Sequence, residues 1–283
     1  MFIYTPFVLL YFIYDIKYMV YFIDIVATIL AYFFYIIPTK RKKIAIYNIA
    51  LVFPDIQEKR LNEILFKSMK VSCINFINGI FGRCLDKTNH IKTIDFKIPK
   101  QFIEDTNKHN VVLVCHHGGI MLDGPTYIGC FFDKKVTIVI KKTYPITSLL
   151  YYKKYYKMLF LEKKKGVFKK LLLSKDPVVI LACDQRGSDN SQKIIFLNQP
   201  CDFHYGPAVL AQRTNRKIWF IEFLYDFETM RQTWKLTSVS ELLEENYSVT
   251  EVTQKIADIF TESIFKNPEN YFWLHNRFKS SGV

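Results

Sequence analysis

At 283 residues the chain can bury one large core and still carry an appended segment. Half of its residues are hydrophobic, 16% are aromatic and the formal net charge is +13, which points to a membrane and to anionic partners. Six scattered cysteines without a C-x-x-C pair read better as buried thiols in a reducing compartment than as disulfides or a zinc site, and the lack of ribonucleoprotein or zinc-finger motifs disfavours nucleic acid.

From Met1 to Pro38 the sequence is almost entirely Phe, Tyr, Ile, Leu and Val, broken by Asp15, Lys17 and Asp24. The stretch Tyr18 to Ile37 has the length of a membrane span, although Asp24 would be costly at the bilayer centre. The tract reads as a membrane segment in preference to a buried core helix, and spanning the bilayer and lying in its interface are both open from this composition. Lys40-Arg41-Lys42-Lys43 follows and suits a cytoplasmic face with anionic headgroups. The expected division is a hydrophobic membrane-anchor segment, 1–38, and one α/β domain, 39–283.

Residues 40–52 predict a short amphipathic helix with Ile44, Tyr47, Asn48 and Leu51 on one side, broken by Phe53-Pro54-Asp55. Asp55 and Glu58 then resemble a capping box opening a helix to about Asn78, with Gly79 and Gly82 ending it. Beyond that, strands alternate with helices. Strands are predicted at 111–115, Val136–Ile140, Val178–Cys183, Lys217–Leu224 and Trp234–Val239, and helices near 121–131, 145–160, 165–174, 207–214 and 249–266. The alternation predicts a single α/β domain with a mainly parallel mixed sheet flanked by helices, its last hairpin adding an antiparallel edge.

The chemistry concentrates where strand 111–115 empties into His116-His117-Gly118-Gly119, with Asp123 close behind. An imidazole is the side chain best suited to take a proton near neutral pH, and a nearby carboxylate can fix its tautomer and stabilise the imidazolium. Glycines let a substrate approach the backbone. No serine nucleophile or metal-ligand spacing accompanies the pair, so the residues read as a general base activating an external hydroxyl. Cys115 beside His116 offers a thiol-hydrolase alternative, though neighbours at a strand end point to opposite faces. The second loop at a strand's carboxyl end is Asp184-Gln185-Arg186-Gly187; Arg186 offers a fork for phosphate oxygens, Gly187 exposed amides, and a plain polar turn is an equal reading. Lysine pairs between Lys134 and Lys170, interleaved with Tyr151, Tyr152, Tyr155 and Tyr156, read either as solvated helix faces or as a surface for a membrane or carrier.

Together these blocks resemble the lysophospholipid acyltransferase superfamily in its lipid A biosynthesis (late, secondary) acyltransferase branch. The likeness runs from Arg41, Asn48 and Phe53-Pro54 through the strand–His–Gly segment to Asp184-Gln185-Arg186-Gly187, Phe196-Leu197 and Gly206-Pro207-Ala208. It closes on Pro268-Glu269-Asn270-Tyr271-Phe272-Trp273-Leu274-His275-Asn276-Arg277-Phe278-Lys279. The resemblance implies a glycerolipid acyltransferase-like fold and an enzyme on the cell inner membrane, its catalytic domain facing the cytoplasm. It would move a fatty acyl group from acyl carrier protein, or coenzyme A, to a hydroxyl of a glycolipid, with no cofactor and no metal. The family's histidine and acid are separated by four residues. Here that spacing reaches Leu122 from His117 and Met121 from His116, so Asp123 comes one or two positions late. His117 with Asp123 is the expected catalytic pair, His116 the other candidate base, and Gly118 and Gly119 the expected oxyanion donors. Asp184, Gln185, Arg186 and Gly187 are the expected substrate contacts. A catalytically silent lipid-binding relative and a hydrolase using Cys115 or Cys183 are the alternatives.

Overall fold

The computed structural model describes residues 16–81, 94–119, 128, 134–140, 158–162, 165–185, 192–242 and 246–278. Asp123, Arg186 and Gly187 lie outside them, as do most of the helix expected near 121–131 and residues 145–157.

Five strands run parallel in one sheet: β2 (Val111–Cys115), β3 (Val136–Ile140), β4 (Met158–Glu162), β5 (Val178–Ala182) and β8 (Lys217–Tyr225). The antiparallel β9 (Gln232–Ser238) returns along β8, and β1 (Ile94–Phe96) lies parallel to β9, giving the order β1-β9-β8-β2-β5-β3-β4. The predicted hairpin is therefore present, but β1 covers β9, so β9 is not an edge. Met158–Phe160 were expected at the end of a helix. They form a strand instead, because Met158 to Glu162 extend the sheet beside β3.

β2 is buried throughout, as expected for a central strand covered on both faces. Val112 and Val114 face one core and Val111, Leu113 and Cys115 the other. The second core packs on α4 (Lys100–Lys108) through Phe102. The first is larger and takes residues from α1 (Ile16–Ile36), α2 (Lys40–Val52), α3 (Glu58–Phe81), α5 (Val167–Leu173), α6 (Gly206–Thr214) and α7 (Val249–Lys266). A small hairpin, β6 (Gln192–Phe196) with β7 (Gln199–Phe203), joins it.

Helix α7 shows why these residues form this element. Ser248 and Glu251 make a reciprocal capping box, and Val252, Ile256, Ala257, Phe260 and Ile264 recur at helical spacing on the buried face. Helix α2 starts on the Thr39 side chain, which accepts from the Lys42 amide at 3.1 Å. Its buried stripe is Ile44, Ala45, Asn48, Ile49 and Val52; Tyr47 and Leu51 are not buried. Helix α3 begins at Glu58, so Asp55 stands in the preceding turn, and the helix runs through Gly79 to Phe81.

Helix α1 lies along α3. Its Ala27 and Ala31 are fully buried, whereas Phe22, Ile25, Ile29, Tyr32 and Phe33 face outward. Asp24 points inward, 2.7 Å from Lys70 Nζ and accepting from the Tyr225 hydroxyl at 2.6 Å. No described helix is by itself long and apolar enough to cross a membrane; Val20–Ile36 and Lys40–Val52 pass that test only as a pair bent by 89°.

Candidate active site

All five parallel strands end on the same side, where open α/β sheets place their ligands. Cys115 pairs with Ala182, and the Cys183 amide extends the ladder by donating to the Cys115 carbonyl at 3.2 Å. Two residues beyond each of these partners stand His117 and Asp184. The register of two parallel strands thus brings an imidazole and a carboxylate together from positions 67 residues apart.

His117 Nδ1 lies 2.5 Å from Asp184 Oδ1. Burial alone would raise the Asp184 carboxyl, but its attraction to the His117 ring when that is protonated, and the hydrogen bond from the ring, outweigh it and hold the group well below the usual carboxylate range. An ionised carboxylate only accepts, so Nδ1 carries the proton. At the far side of the ring the Gln185 amide nitrogen donates to Nε2 at 3.1 Å, which therefore keeps its lone pair. The His117 side chain is 26% exposed. The ring is thus held at Nδ1 by Asp184 and carries its lone pair at Nε2, where the Gln185 amide rests.

His116 has the opposite setting. The strand's alternation turns it into the larger core, where it packs against Phe220, Phe260 and Tyr271. Its Nε2 lies 3.0 Å from Ser263 Oγ on α7, and Ser263 in turn donates to Glu222 on β8. Its Nδ1 is buried without a partner among the described residues. Burial pushes its pKa down to about 4, so the ring is neutral near pH 7. The structure brings His116 to a hydrogen-bonded structural position, not to the open cleft.

The carboxy-terminal segment holds the loop in place. Gly118 and Tyr271 form an antiparallel bridge, flanked by the Phe272 amide donating to His117 O at 2.9 Å and the Gly119 amide donating to Asn270 O at 2.7 Å. Asn75 Nδ2 reaches the Gly119 carbonyl at 2.7 Å. Gly119 has φ +53° and a Cβ there would lie 1.9 Å from Phe223 O, so only glycine fits. The segment is itself anchored on α2: Asn48 Nδ2 donates to the carbonyls of Trp273 and His275 at 2.8 and 2.7 Å, and Arg41 to that of Leu274 at 3.1 Å. Asn270 also clasps the backbone of Tyr225 through both ends of its amide.

This geometry corrects one expectation. The Gly119 amide is engaged by Asn270 and cannot serve as an oxyanion donor. Gly118 occupies the non-hydrogen-bonded position of the bridge, which turns its own amide away from the Tyr271 segment. The thiol alternative also fails. Cys115 and Cys183 are buried and burial raises both thiols well above their ordinary value, so neither supplies a thiolate near neutral pH. Four contributors were missed from sequence: Asn75, Ser263, Glu222 and the clasping role of Asn270. The available signal was weak: Asn75 shares its helix face with Ser68 and Ser72, and Ser263 shares its buried face with Thr253, so neither stands out as a polar residue in an apolar stripe.

A cavity of ≈ 210 Å³ opens beside His117, walled by Ser68, Val71, Ser72 and Asn75 of α3, by Gly118 and Gly119, and by Asn270, Tyr271 and Phe272. A search of curated proteins found no match to the chain. The model of the bacterial lipid A biosynthesis acyltransferase family, by contrast, matches residues 5–280, which include every element described above. By that near-complete match the chain belongs to this family and is an acyltransferase.

Proposed function

We propose that the protein transfers a fatty acyl chain from a carrier-protein thioester, or from acyl coenzyme A, to a hydroxyl of a lipid A precursor or related glycolipid. The observation that carries this reading is the polarised imidazole: His117 is fixed by Asp184 at Nδ1 and presents the Nε2 lone pair beside a cavity. Asp184 takes the orienting role; Asp123, the acid expected there, lies outside the described residues.

In the reaction, the acceptor hydroxyl displaces the Gln185 amide and donates its proton to His117 Nε2. The oxygen attacks the thioester carbonyl, forming the new C–O bond. Asp184 stabilises the imidazolium without taking its proton. The Gly118 amide and the displaced Gln185 amide are the donors within reach of the developing oxyanion. As the tetrahedral intermediate collapses, the C–S bond breaks and the leaving sulfur takes the proton back from His117. Arg186 and Gly187 are candidate contacts for the phosphate of the carrier's pantetheine arm.

Lipid A acyltransferases are membrane-associated in general. Here α1 supports an interfacial rather than a spanning mode. Its Asp24 is paired with Lys70 and Tyr225 and its alanines are packed on α3, so only one face is free for lipid. Lys40 to Lys43 stand at its carboxyl end, where anionic headgroups and the +13 net charge favour the cytoplasmic leaflet.

Purified protein in lipid nanodiscs, supplied with each thioester donor and a lipid A precursor, tests the proposal. Thiol release and mass spectrometry should report acylated glycolipid. Loss of a general base typically costs about 10²–10⁴-fold, so His117→Ala should retain only traces. Wild-type-like transfer by that variant, or no acylated lipid with either donor, overturns it.

A further inference from the structure

We propose that Gln185 guards the base: its amide keeps water off His117 Nε2, so that a bound thioester is consumed by a lipid hydroxyl and not by hydrolysis. This rests on the acyl-transfer reading above and deepens it, by assigning the choice between two competing nucleophiles to one side chain.

The base itself cannot make that choice. Water and a sugar hydroxyl are both neutral O–H nucleophiles, and an imidazole with an open lone pair takes a proton from either. With water, the proton would pass to Nε2 as the new C–O bond forms at the thioester carbonyl. The C–S bond would then break, the sulfur would recover the proton, and the products would be a free fatty acid and a thiol. Solvent can reach the ring, because the His117 side chain is 26% exposed.

The loop after β5 grips both nitrogens of this one ring. Asp184, which is buried, lies 2.5 Å from Nδ1, and the next residue, Gln185, reaches round to Nε2 at 3.1 Å. An ionised carboxylate only accepts, so Nδ1 holds the proton and Nε2 has only a lone pair to offer. That fixes the NH₂ end of the Gln185 amide toward the ring. The chain just before the pair is itself secured, since the Cys183 amide donates to the Cys115 carbonyl at 3.2 Å. The group that covers the base is therefore carried by the neighbour of the group that orients it.

Displacing the amide affects the two nucleophiles unequally. A water molecule taking its place brings one hydrogen bond and nothing else, so it meets the full resistance of the existing bond, a factor of about two to ten. An acceptor lipid binds through many groups remote from the reacting hydroxyl, and part of that binding energy moves the amide aside. Once the lipid is bound, its hydroxyl faces an uncovered Nε2. This is induced-fit discrimination, and in it Gln185 acts through His117, as a positioning residue.

The test uses full-length protein in nanodiscs with the thioester donor that supports wild-type transfer, first alone and then with a saturating lipid A precursor. Free fatty acid, thiol and acylated lipid are measured together. In Gln185→Ala the ratio of donor-only hydrolysis to saturated transfer should rise about two- to tenfold over wild type. Both reactions pass through the same oxyanion, so a donor lost there lowers both and cancels in the ratio. Gln185→Asn keeps the amide but draws it back by one bond, and it should move the ratio the same way if the alanine variant does not fold. Adding His117→Ala to Gln185→Ala should return hydrolysis to that of His117→Ala alone. A level or lower ratio in the folded variants, as a merely structural role would give, overturns the inference, and so does added hydrolysis that survives without His117. Either result with wild-type transfer intact leaves the acyl-transfer reading standing, whereas wild-type protein that acylates no lipid removes both.

Discussion

Two neighbouring histidines occupy opposite worlds in this protein. His116 is closed in by three aromatic rings and tied through Ser263 to Glu222, whereas His117 stands at a cavity with one nitrogen fixed by Asp184. Nothing in residue type separates them. The difference comes from the alternation of a strand end, which sends one ring into the core and the next to the open side. Where a strand stops therefore decides which of two identical side chains can be a base.

The largest expected effect exposes this directly. His117→Phe should lower acyl transfer by about 10²–10⁴-fold, and it should lower the thermal midpoint too, because the buried Asp184 carboxyl loses its partner. His116→Phe should spare transfer. It loses one hydrogen bond, yet Ser263 keeps Glu222, so a destabilisation of about 1 kcal/mol and activity within about tenfold of wild type are expected. Parallel melting curves and transfer assays on the two variants check this. Comparable loss of transfer in both would erase the distinction.

Gly119→Ala comes next. At φ +53°, with the Phe223 carbonyl where a Cβ would go, the loop has to move away from Asn270. A destabilisation of about 2–3 kcal/mol follows, equivalent to a drop in Tm of roughly 3–5 °C. Transfer should fall with it, since the same backbone presents His117. A variant with wild-type Tm and activity would show that the loop has another stable conformation.

Acid should separate the two histidines as well. His116 has a folded pKa of about 4 against an ordinary value near 6.5. Between those values the unfolded chain binds a proton that the folded one does not, so this ring's contribution makes stability fall as pH drops from about 6.5 to 4 and level off below. The full difference is about 3 kcal/mol. His116→Phe should flatten that part of the stability–pH curve in denaturant titrations. Asp184 acts in a lower window: its depressed carboxyl stabilises the fold above about pH 4, and that contribution is lost as pH falls further. A variant curve parallel to wild type between pH 6.5 and 4 would mean that His116 does not titrate in this way.

Much of this architecture was legible in the sequence, and the exceptions share a cause. The apolar runs of β2, β3, β5 and β8 and the amphipathic period of α7 are local signals, and they predict those elements well. Met158–Phe160 fall at the end of a predicted helix because they follow a Tyr- and Lys-rich stretch with helical spacing; only pairing with β3 makes them strand. The partnership of His117 with Asp184 was hidden for a related reason. Both loops were expected at strand ends, but which strands are neighbours, and in what register, is not written near either residue. Asn270 was visible as part of the carboxy-terminal signature, yet its clasp on Tyr225 and the catalytic loop depends on a return of the chain from 150 residues away.

The smallest effect probes how far the comparison extends. Asn270, which accepts from the Gly119 amide, also holds the backbone of Tyr225, and the Tyr225 hydroxyl donates to Asp24 on α1. A continuous set of contacts thus links the helix proposed to lie on the membrane to the loop carrying His117. Tyr225→Phe removes the outermost hydrogen bond but keeps the Asn270 clasp, which uses only backbone, and leaves Asp24 its ion pair with Lys70. The loss should be about 1 kcal/mol, enough to raise local opening of α1 about fivefold. Hydrogen exchange on protein in nanodiscs should then show faster exchange along α1 and unchanged protection at Gly119 and Phe272. Faster exchange at Gly119 as well would mean that α1 and the loop open as one unit, so that docking of the helix would itself tune the base; unchanged exchange along α1 would mean that its packing on α3 is sufficient without the hydrogen bond.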